Sequence, residues 1–349
     1  MWGRKTEYAL LFVGFLLTAF SLQAQQYSKL YPYALMAEEK KRFQARIGEI
    51  YEKGIEPYLT DQQKVAVSGV RFDFPLPRKA SRPIDFYSHS QERWIAFPVL
   101  SLKFVEDLSI AYAWLWANHK SFSTIDEYIT MLRYRQSHEF DGQVYPAPLM
   151  ALGIPENVFD DKKVDDMSLR FRNTAYAFIL LHELGHILYQ HKGYEGYTAV
   201  EARSQEELVD DFAINILDKT ATLPMGAILF FQAQAYWLPN RGQVDRNKGR
   251  FLTDVEWQRR LNQRITHPLT SDRLQHMARQ LGLGRTRTIN ITYRESSDFI
   301  SERLYQIGAI LNDEDIQKCM SIVGAKIGIL DLKPRSQGNI SLLFQQWCH

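Results

Sequence analysis

The chain has 349 residues, 45% of them hydrophobic, which suffices for one large or two ordinary globular domains with a buried core. Its 42 basic and 40 acidic side chains are interspersed and leave a net charge of +2. This balance excludes the basic footprint of a nucleic-acid-binding protein, so we expect no nucleic-acid partner.

The first residues have the composition of a secretory signal peptide. Arg4 and Lys5 precede an apolar run of about 13 residues, and Ala24 offers a small residue for cleavage. The run is shorter than the roughly 20 residues that span a bilayer. We expect residues 1–24 to be removed and the mature chain to be periplasmic or secreted. The alternative is that residues 8–22 remain as a membrane anchor.

Residues 25–164 are predicted to form an N-terminal α+β region of unknown role. Apolar periodicity predicts helices, alternation with β-branched residues predicts one or two strands, and prolines mark a loop before the next helix. The predicted elements are a helix over 27–59, strand structure over 65–74, a helix over 98–117, a helix over 125–135 capped by Ser123, and a loop over 141–164.

The strongly apolar stretch over 175–188 lacks proline and is predicted to be a helix. On that helix His182 and His186 lie one turn apart on the same face, with Glu183 beside them. Two imidazoles at this spacing bind one zinc ion, and a water on that ion acquires a pKa of roughly 7. The alternative, that these are ordinary helix residues, is disfavoured because burying the cluster without a metal is costly. Gly185 allows another backbone to approach closely.

A zinc site needs a third protein ligand, and the acidic segment that begins at Ser204 supplies the candidates. Ser204 and Glu207 have the spacing of a capping box, which engages Glu207. A helical projection places Glu206 at the edge of the apolar arc, with Asp210 one turn further. We therefore assign Glu206 as the third ligand and Asp210 as the group that holds a ligand histidine by its free ring N–H. The register of Glu207 with Asp211 stays open, as does a solvated acidic helix start.

The pattern from His182 to His186, followed by Glu206-x-x-Val209-Asp210, resembles the gluzincin pattern of HtpX-like and CAAX-prenyl-protease-like metallopeptidases. Those membrane-associated peptidases usually have Ala where this chain has Val209. The transmembrane helices typical of HtpX are missing from the sequence, so the resemblance implies a branch without them.

A second segment strengthens this resemblance. Thr266-His267-Pro268, with Arg273 six residues after the histidine, is similar to a segment near the active site of those peptidases. The resemblance covers about residues 175–281 and implies that His267 or Arg273 gives electrophilic help to an oxyanion. Alternatively, His267 is a loop residue that orients the following helix. The phage-exclusion peptidase Lit shares the His-Glu-x-x-His pattern and is a weaker comparison.

The rest of the chain carries no catalytic pattern. We expect residues 286–349 to form a C-terminal extension that packs on the catalytic domain. Cys319 and Cys348 either close a disulfide loop or remain free thiols. The predicted elements are a buried helix over 224–238, a helix over 272–281 capped by Ser271, a strand over 286–293, a helix over 301–311 and an apolar end over 342–347.

We predict an α+β, mostly α fold in which residues 165–285 form a zincin-like domain. The predicted function is a zinc-dependent metalloendopeptidase that acts on a protein or peptide substrate, with Glu183 as the base. One alternative is a non-catalytic zinc-binding periplasmic adaptor, which the intact Glu183 disfavours because a structural site needs no base. Another is a zinc amidase with a non-peptide substrate. Membrane contact is expected only through an uncleaved N-terminal segment.

Overall fold

The structure is a computed structural model that describes residues 27–77, 80, 82–191, 198–220, 222–237, 253, 255–256, 271–283, 291–312, 314–332 and 334. The predicted signal peptide, the segment with His267, the apolar end over 342–347 and Cys348 lie outside the described residues. The predictions made for those segments stay predictions.

Helices make up most of the described chain, which confirms the predicted mostly α fold with a small β component. No helix within the described ranges has the length and apolar composition that crossing a membrane requires. The helices are α1 (Tyr33–Glu49), which a π-helical segment (Ile50–Ile55) continues, α2 (Asp61–Val67), α3 (Val99–Ala117), α4 (Ser123–Tyr134), α5 (Pro148–Ala151), α6 (Lys162–Leu188), α7 (Ala199–Lys219), α8 (Ala227–Trp237), α9 (Ser271–Leu283), α10 (Ile291–Asn312) and α11 (Glu314–Gly324).

Helix α6 packs against other helices on several sides and against the sheet. It begins where the Asp161 side chain accepts a hydrogen bond from the Lys163 amide, and it continues without proline for 27 residues. Every residue from Ala175 to Ile187 is buried, because α3, α7, α8 and the sheet contact this helix. The predicted boundary after residue 164 falls in the first turn of α6, and residues on both sides of it share one hydrophobic core.

Three short strands form a sheet beside α6: β1 (Arg71–Asp73), β2 (Tyr87–His89) and β3 (Trp94–Ala96). The central strand is β3, which runs parallel to β1 and antiparallel to β2. Both β2 and β3 contact α6. Ser90, which follows β2, donates its hydroxyl hydrogen to the His186 carbonyl oxygen at 3.1 Å. The sheet therefore holds the C-terminal end of the helix that carries the two histidines.

The prediction of strand structure over 65–74 is correct only at β1. Residues 65–67 are instead the end of α2, because Thr60 and Gln63 make a capping box in which each side chain bonds the other residue's amide. These two reciprocal bonds at the helix start outweigh the strand preference of the β-branched residues in α2.

Two further local predictions are wrong. Helix α4 begins at Ser123 itself, and the hydroxyl that accepts the Ser123 amide hydrogen belongs to Ser121. The described part of the strand predicted over 286–293 is the start of α10. There the packing of a 22-residue helix on α9 outweighs the local preference for a strand.

The described part of the C-terminal region contacts both earlier regions of the chain. Ser301 of α10 donates its hydroxyl hydrogen to the Ala278 carbonyl oxygen of α9 at 2.9 Å. Arg303 of α10 lies 3.1 Å from the Asp126 carboxylate of α4. Cys319 of α11 is disulfide-bonded, so the free-thiol alternative is wrong for this residue.

Gly226, just before α8, allows that helix to approach α6 closely. A Cβ atom at this position would lie 2.2 Å from both the Phe171 carbonyl oxygen and the Ala175 amide nitrogen. We predict that Gly226→Ala lowers the free energy of unfolding by about 1–3 kcal/mol or more, because backbone atoms cannot move aside as a flexible side chain can. Urea-induced unfolding measures this change.

Gly48→Ala in α1 is the matched control. Nothing lies within 4 Å of the carbon that it adds, so we expect it to raise the free energy of unfolding by about 0.5–1 kcal/mol. Equal stabilities of the Gly226→Ala variant and the wild-type chain would contradict the close approach of α8 to α6.

Candidate metal centre

Helix α6 presents two imidazole rings to one buried site. His182 and His186 are four residues apart, and their Nε2 atoms lie 3.3 Å from each other. The exposed fractions of the two residues are 1% and 5%. The one-turn spacing in the sequence therefore places both Nε2 atoms in the same small volume.

Helix α7 brings the carboxylate of Glu206 to these two nitrogens. Its Oε2 atom lies 3.5 Å from His182 Nε2, and its Oε1 atom lies 3.4 Å from His186 Nε2. Glu206 is fully buried. Within the described residues these three side chains form a group that could hold a metal ion, because their ligand atoms all lie within 4.8 Å of one another.

The separation of the two imidazole nitrogens suits a tetrahedral zinc site. Zinc binds imidazole nitrogen and carboxylate oxygen at about 2.0–2.2 Å, so the ligand atoms of a tetrahedral site are about 3.3–3.6 Å apart. Here the two Nε2 atoms are 3.3 Å apart, and each has a different oxygen of the Glu206 carboxylate close by, Oε2 at 3.5 Å from His182 and Oε1 at 3.4 Å from His186. Two imidazoles and one carboxylate are also a donor set of zinc sites that leave the fourth position to water. The residues therefore fit a zinc ion.

Asp210, one turn beyond Glu206 on α7, holds the outer side of the His182 ring. Its Oδ1 atom lies 2.9 Å from His182 Nδ1. Burial acts to raise the pKa of Asp210, but the charge of Arg273 and the hydrogen bond with His182 outweigh it and lower the pKa. The ionised carboxylate accepts the Nδ1 hydrogen, which leaves the lone pair of His182 Nε2 facing Glu206.

Arg273 of α9 binds both buried carboxylates. Its Nε and Nη2 atoms donate to Asp210 at 2.6 and 2.9 Å, and its Nη1 atom lies 2.7 Å from Glu206 Oε2. The guanidinium carbon lies 5.3 Å from the centre of the Phe231 ring, and Arg273 is 2% exposed. These contacts favour a positioning role over the oxyanion role that the resemblance implied. His267, the other residue to which that role was assigned, lies outside the described residues.

Glu183 lies in the same buried site and is 1% exposed. Burial lowers the pKa of His186, and the negative charges of Glu206 and Glu183 oppose that shift because they favour the protonated ring. The net result is a lowered pKa, which keeps His186 in the neutral form that binds metals. The residue predicted to act as a base is therefore close enough to the metal-ligand group to interact with it electrostatically.

His191 belongs to the site although no sequence pattern indicates it. Its Nδ1 atom lies 3.0 Å from His186 Nδ1. Burial, and then the neighbouring His186, lower the pKa of His191 to about 4, so its ring is neutral near pH 7. The only signal in the sequence is a third histidine five residues after His186, and that spacing does not place two residues on one face of a helix.

The start of α7 differs from the prediction. The cap is Thr198, whose hydroxyl accepts the Glu201 amide hydrogen while the Glu201 carboxylate accepts the Thr198 amide hydrogen. The predicted capping box of Ser204 and Glu207 is therefore wrong, because Ser204 already lies in the second turn of the helix.

In the structure, α7 has the register in which Glu206 and Asp210 face inward, as predicted. Both residues are fully buried, whereas Glu207 and Asp211 are only half-buried. By its angle on the helix, Leu208 falls with Val209 and Phe212 in the apolar arc, but it is 43% exposed. A helical projection uses only the angle of each residue around the helix, so it contains no information on which elements lie beside that helix.

Gly185 sets the distance between α6 and α7. A Cβ atom at this position would lie 2.9 Å from Val209 Cγ1 and 3.0 Å from Val209 Cβ, which is too close for an ordinary contact. The close approach at this glycine is made by a side chain of α7, so the prediction that a backbone approaches here is wrong. It occurs one residue from Asp210 and one residue from His186, so it controls the fit of the two ligand-bearing helices.

No protein-family model, curated protein or solved structure matches this chain. The likeness to gluzincins therefore depends on the motif residues themselves and on their arrangement.

The two adjacent glutamates of α7 give a direct test of the ligand assignment. We predict that Glu206→Gln weakens zinc binding more than Asp210→Ala, for which the loss of an outer partner should cost about 10–100-fold in affinity. Glu207→Gln is the matched control and should bind zinc like the wild-type chain, because its side chain is only half-buried and outside the ligand group. Competition with a chromogenic chelator measures the affinities. Loss of zinc in Glu207→Gln but not in Glu206→Gln would contradict the assignment.

The contact between Gly185 and Val209 predicts that a larger side chain at one position can be offset by a smaller one at the other. Gly185→Ala should weaken zinc binding, because the new methyl group pushes α7 and its ligand away from α6. Adding Val209→Ala removes the atoms that the methyl group meets, so the double variant should recover affinity toward that of the wild type. Chelator competition and thermal unfolding of the four proteins measure the coupling. Additive losses would show that the two residues do not share one contact.

Proposed function

We propose that this protein is a zinc-dependent metalloendopeptidase of the gluzincin type. The single observation that carries the proposal is the buried group of His182, His186 and Glu206, whose ligand atoms all lie within 4.8 Å of one another. Glu183 is buried in the same site, which gives the group a carboxylate suited to act as a base. Metal ligands and a base together are what peptide hydrolysis by this route requires.

The ligand role belongs to His182 Nε2, His186 Nε2 and the Glu206 carboxylate. A bound zinc ion supplies a Lewis acid that polarises a carbonyl group and activates water. Asp210 supports the ligand role of His182, because it accepts the Nδ1 hydrogen and so leaves Nε2 with its lone pair. His182 therefore presents an electron pair and no hydrogen on the side that faces Glu206.

Glu183 is assigned the proton transfers. Its carboxylate accepts a proton from the attacking water and then gives it to the leaving amine, so one group serves both steps of peptide hydrolysis. The site supports this assignment because Glu183 is 1% exposed and lies beside the two histidines on α6. Exclusion of bulk water strengthens the electrostatic interactions of such a carboxylate.

Arg273 is assigned a positioning role. It binds Glu206 and Asp210 together, and so keeps the third ligand and the partner of His182 at fixed positions relative to each other. Aromatic side chains complete the wall behind them, since the rings of Phe178 and Phe230 lie 6.2 and 6.3 Å from the ring of His182. These apolar groups limit the access of water from the core side.

Export across a membrane is part of this proposal. Its support is the composition of residues 1–24, with two basic residues followed by a short apolar run and Ala24. The substrate in that setting would be a protein or peptide outside the cytoplasm.

Glu183→Gln is the variant that tests the proposed chemistry. We predict that it binds zinc with an affinity close to that of the wild type, since the ligands stay in place, and hydrolyses peptides about 10²–10⁴-fold more slowly. Zinc content and cleavage of a peptide library, read by mass spectrometry, measure the two properties. Glu207→Gln is the matched control on α7 and should match the wild type in both.

The outcomes separate the proposal from its alternatives. A wild-type chain that binds zinc but cleaves nothing in the library would favour the non-catalytic adaptor. Cleavage that Glu183→Gln leaves unchanged would contradict the role of Glu183 as the base. Hydrolysis of simple amides without cleavage of any peptide would favour the amidase.

A further inference from the structure

His186 has an outer partner of its own. His191 Nδ1 lies 3.0 Å from His186 Nδ1, on the side of the ring opposite the nitrogen that faces Glu206. This contact matches the one between His182 Nδ1 and Asp210, which is 2.9 Å long. Both ligand histidines therefore have their Nδ1 atoms engaged by a side chain and their Nε2 atoms turned to the metal group.

The backbone places His191 against His186 through the end of α6. The helix closes with a Schellman motif, in which the His191 amide donates to the His186 carbonyl oxygen at 2.9 Å and the Gln190 amide donates to the Ile187 carbonyl oxygen at 3.1 Å. Gln190 takes the left-handed conformation of that motif, with φ of 54°. The chain thus reverses direction within two residues, which brings the His191 ring into contact with His186 in the last turn of α6.

The neighbours of His191 limit the positions that its ring can take. Its ring stacks on that of Tyr189, with the ring centres 5.8 Å apart and the planes at 27°. The His186 carbonyl oxygen also accepts the Ser90 hydroxyl hydrogen at 3.1 Å, so the sheet fixes the same turn of α6 from another side. A ring held by backbone and by stacking is an orienting partner that is in place before the metal binds.

We propose that His191 is a positioning residue of the metal centre, one that accepts the Nδ1 hydrogen of His186 and so directs the Nε2 lone pair of that ligand to the metal. This inference rests on the metal group of the proposed function, and it deepens the account of that site. It also explains why no carboxylate is needed at the Nδ1 atom of His186, whereas His182 has Asp210 at that position. A neutral imidazole accepts one hydrogen bond through its unprotonated nitrogen, which is all that the role demands.

The test compares two replacements of His191 that differ in whether they can accept a hydrogen bond. His191→Phe keeps a ring for stacking on Tyr189 but has no acceptor. His191→Asn places an amide oxygen close to the position of Nδ1 and restores the acceptor. The same two replacements at His138, which is exposed and outside the metal group, are the matched controls.

We expect His191→Phe to bind zinc about 10–100-fold more weakly than the wild type, the usual effect of losing an outer partner of a ligand histidine. His191→Asn should recover most of that loss, and neither change at His138 should have an effect. Chelator competition gives the affinities. Thermal unfolding of the metal-free proteins checks that both His191 variants are folded at the temperature of the zinc titration, so that a difference in zinc affinity reports the hydrogen bond and not the fold.

A second measurement needs no metal and no activity. In histidine-labelled, metal-free protein, ¹⁵N NMR should find the His186 hydrogen on Nδ1 in the wild type and in His191→Asn. In His191→Phe the hydrogen should move toward Nε2, because its acceptor has gone. Unchanged zinc affinity and an unchanged His186 tautomer in His191→Phe would overturn the proposal.

The possible failures can be told apart. A wild-type chain that binds zinc but cleaves no peptide contradicts the proposed function and leaves the role of His191 to be decided by the affinities. A wild-type chain that binds no zinc overturns both. Weak binding in His191→Phe and His191→Asn alike, with the His186 tautomer unchanged, overturns the role of His191 while the proposed function stands.

Discussion

The buried contact of Arg273 with Glu206 and Asp210 is the interaction on which the site depends. Two carboxylates one turn apart on α7 repel each other, and both are fully buried. The guanidinium lies within 2.9 Å of both of them, and its planar fork satisfies two oxygens of Asp210 at once. Removal of one partner from such a buried network typically costs about 3–5 kcal/mol, because the remaining charge has no water around it. α7 and α9 are therefore held together by charge as well as by apolar packing.

The same network explains why a cation suits the space between the histidines. Glu183, Glu206 and Asp210 are three carboxylates and Arg273 is one guanidinium, so at formal charges the site carries −2. A divalent cation cancels that charge, whereas a monovalent one does not. Arg273 also limits how strongly the site attracts protons, since it stabilises the ionised form of Asp210. Asp210 therefore stays ionised, and a divalent cation would balance the formal charge that Arg273 leaves.

The parts of this site that could be read from the sequence are those set by helix geometry. The spacing of His182 and His186 and the register of Glu206 with Asp210 follow from the angle per residue, so a projection found them. The residue at which α7 begins could not be predicted from the sequence. Two capping-box patterns begin six residues apart, at Thr198 and Ser204, and both are chemically acceptable. His191 could not be found either, because its contact needs a chain reversal. Strands of three residues are too short for their alternation to be recognised.

The reversal at Gln190 shows how backbone strain and site geometry are linked. A left-handed conformation costs a non-glycine residue roughly 1–2 kcal/mol, and two such residues occur in the segments that bond the His186 carbonyl oxygen. Gln190 precedes His191, and Arg93, with φ of 56°, ends the turn that begins at Ser90. Strain of this kind persists only where the surroundings determine the conformation, and here they include the Schellman bonds and the Arg93 hydrogen bond to the Ala66 carbonyl oxygen at 2.8 Å. The last turn of α6 is consequently held from two sides, and the orientation of the His186 ring follows from that of its backbone.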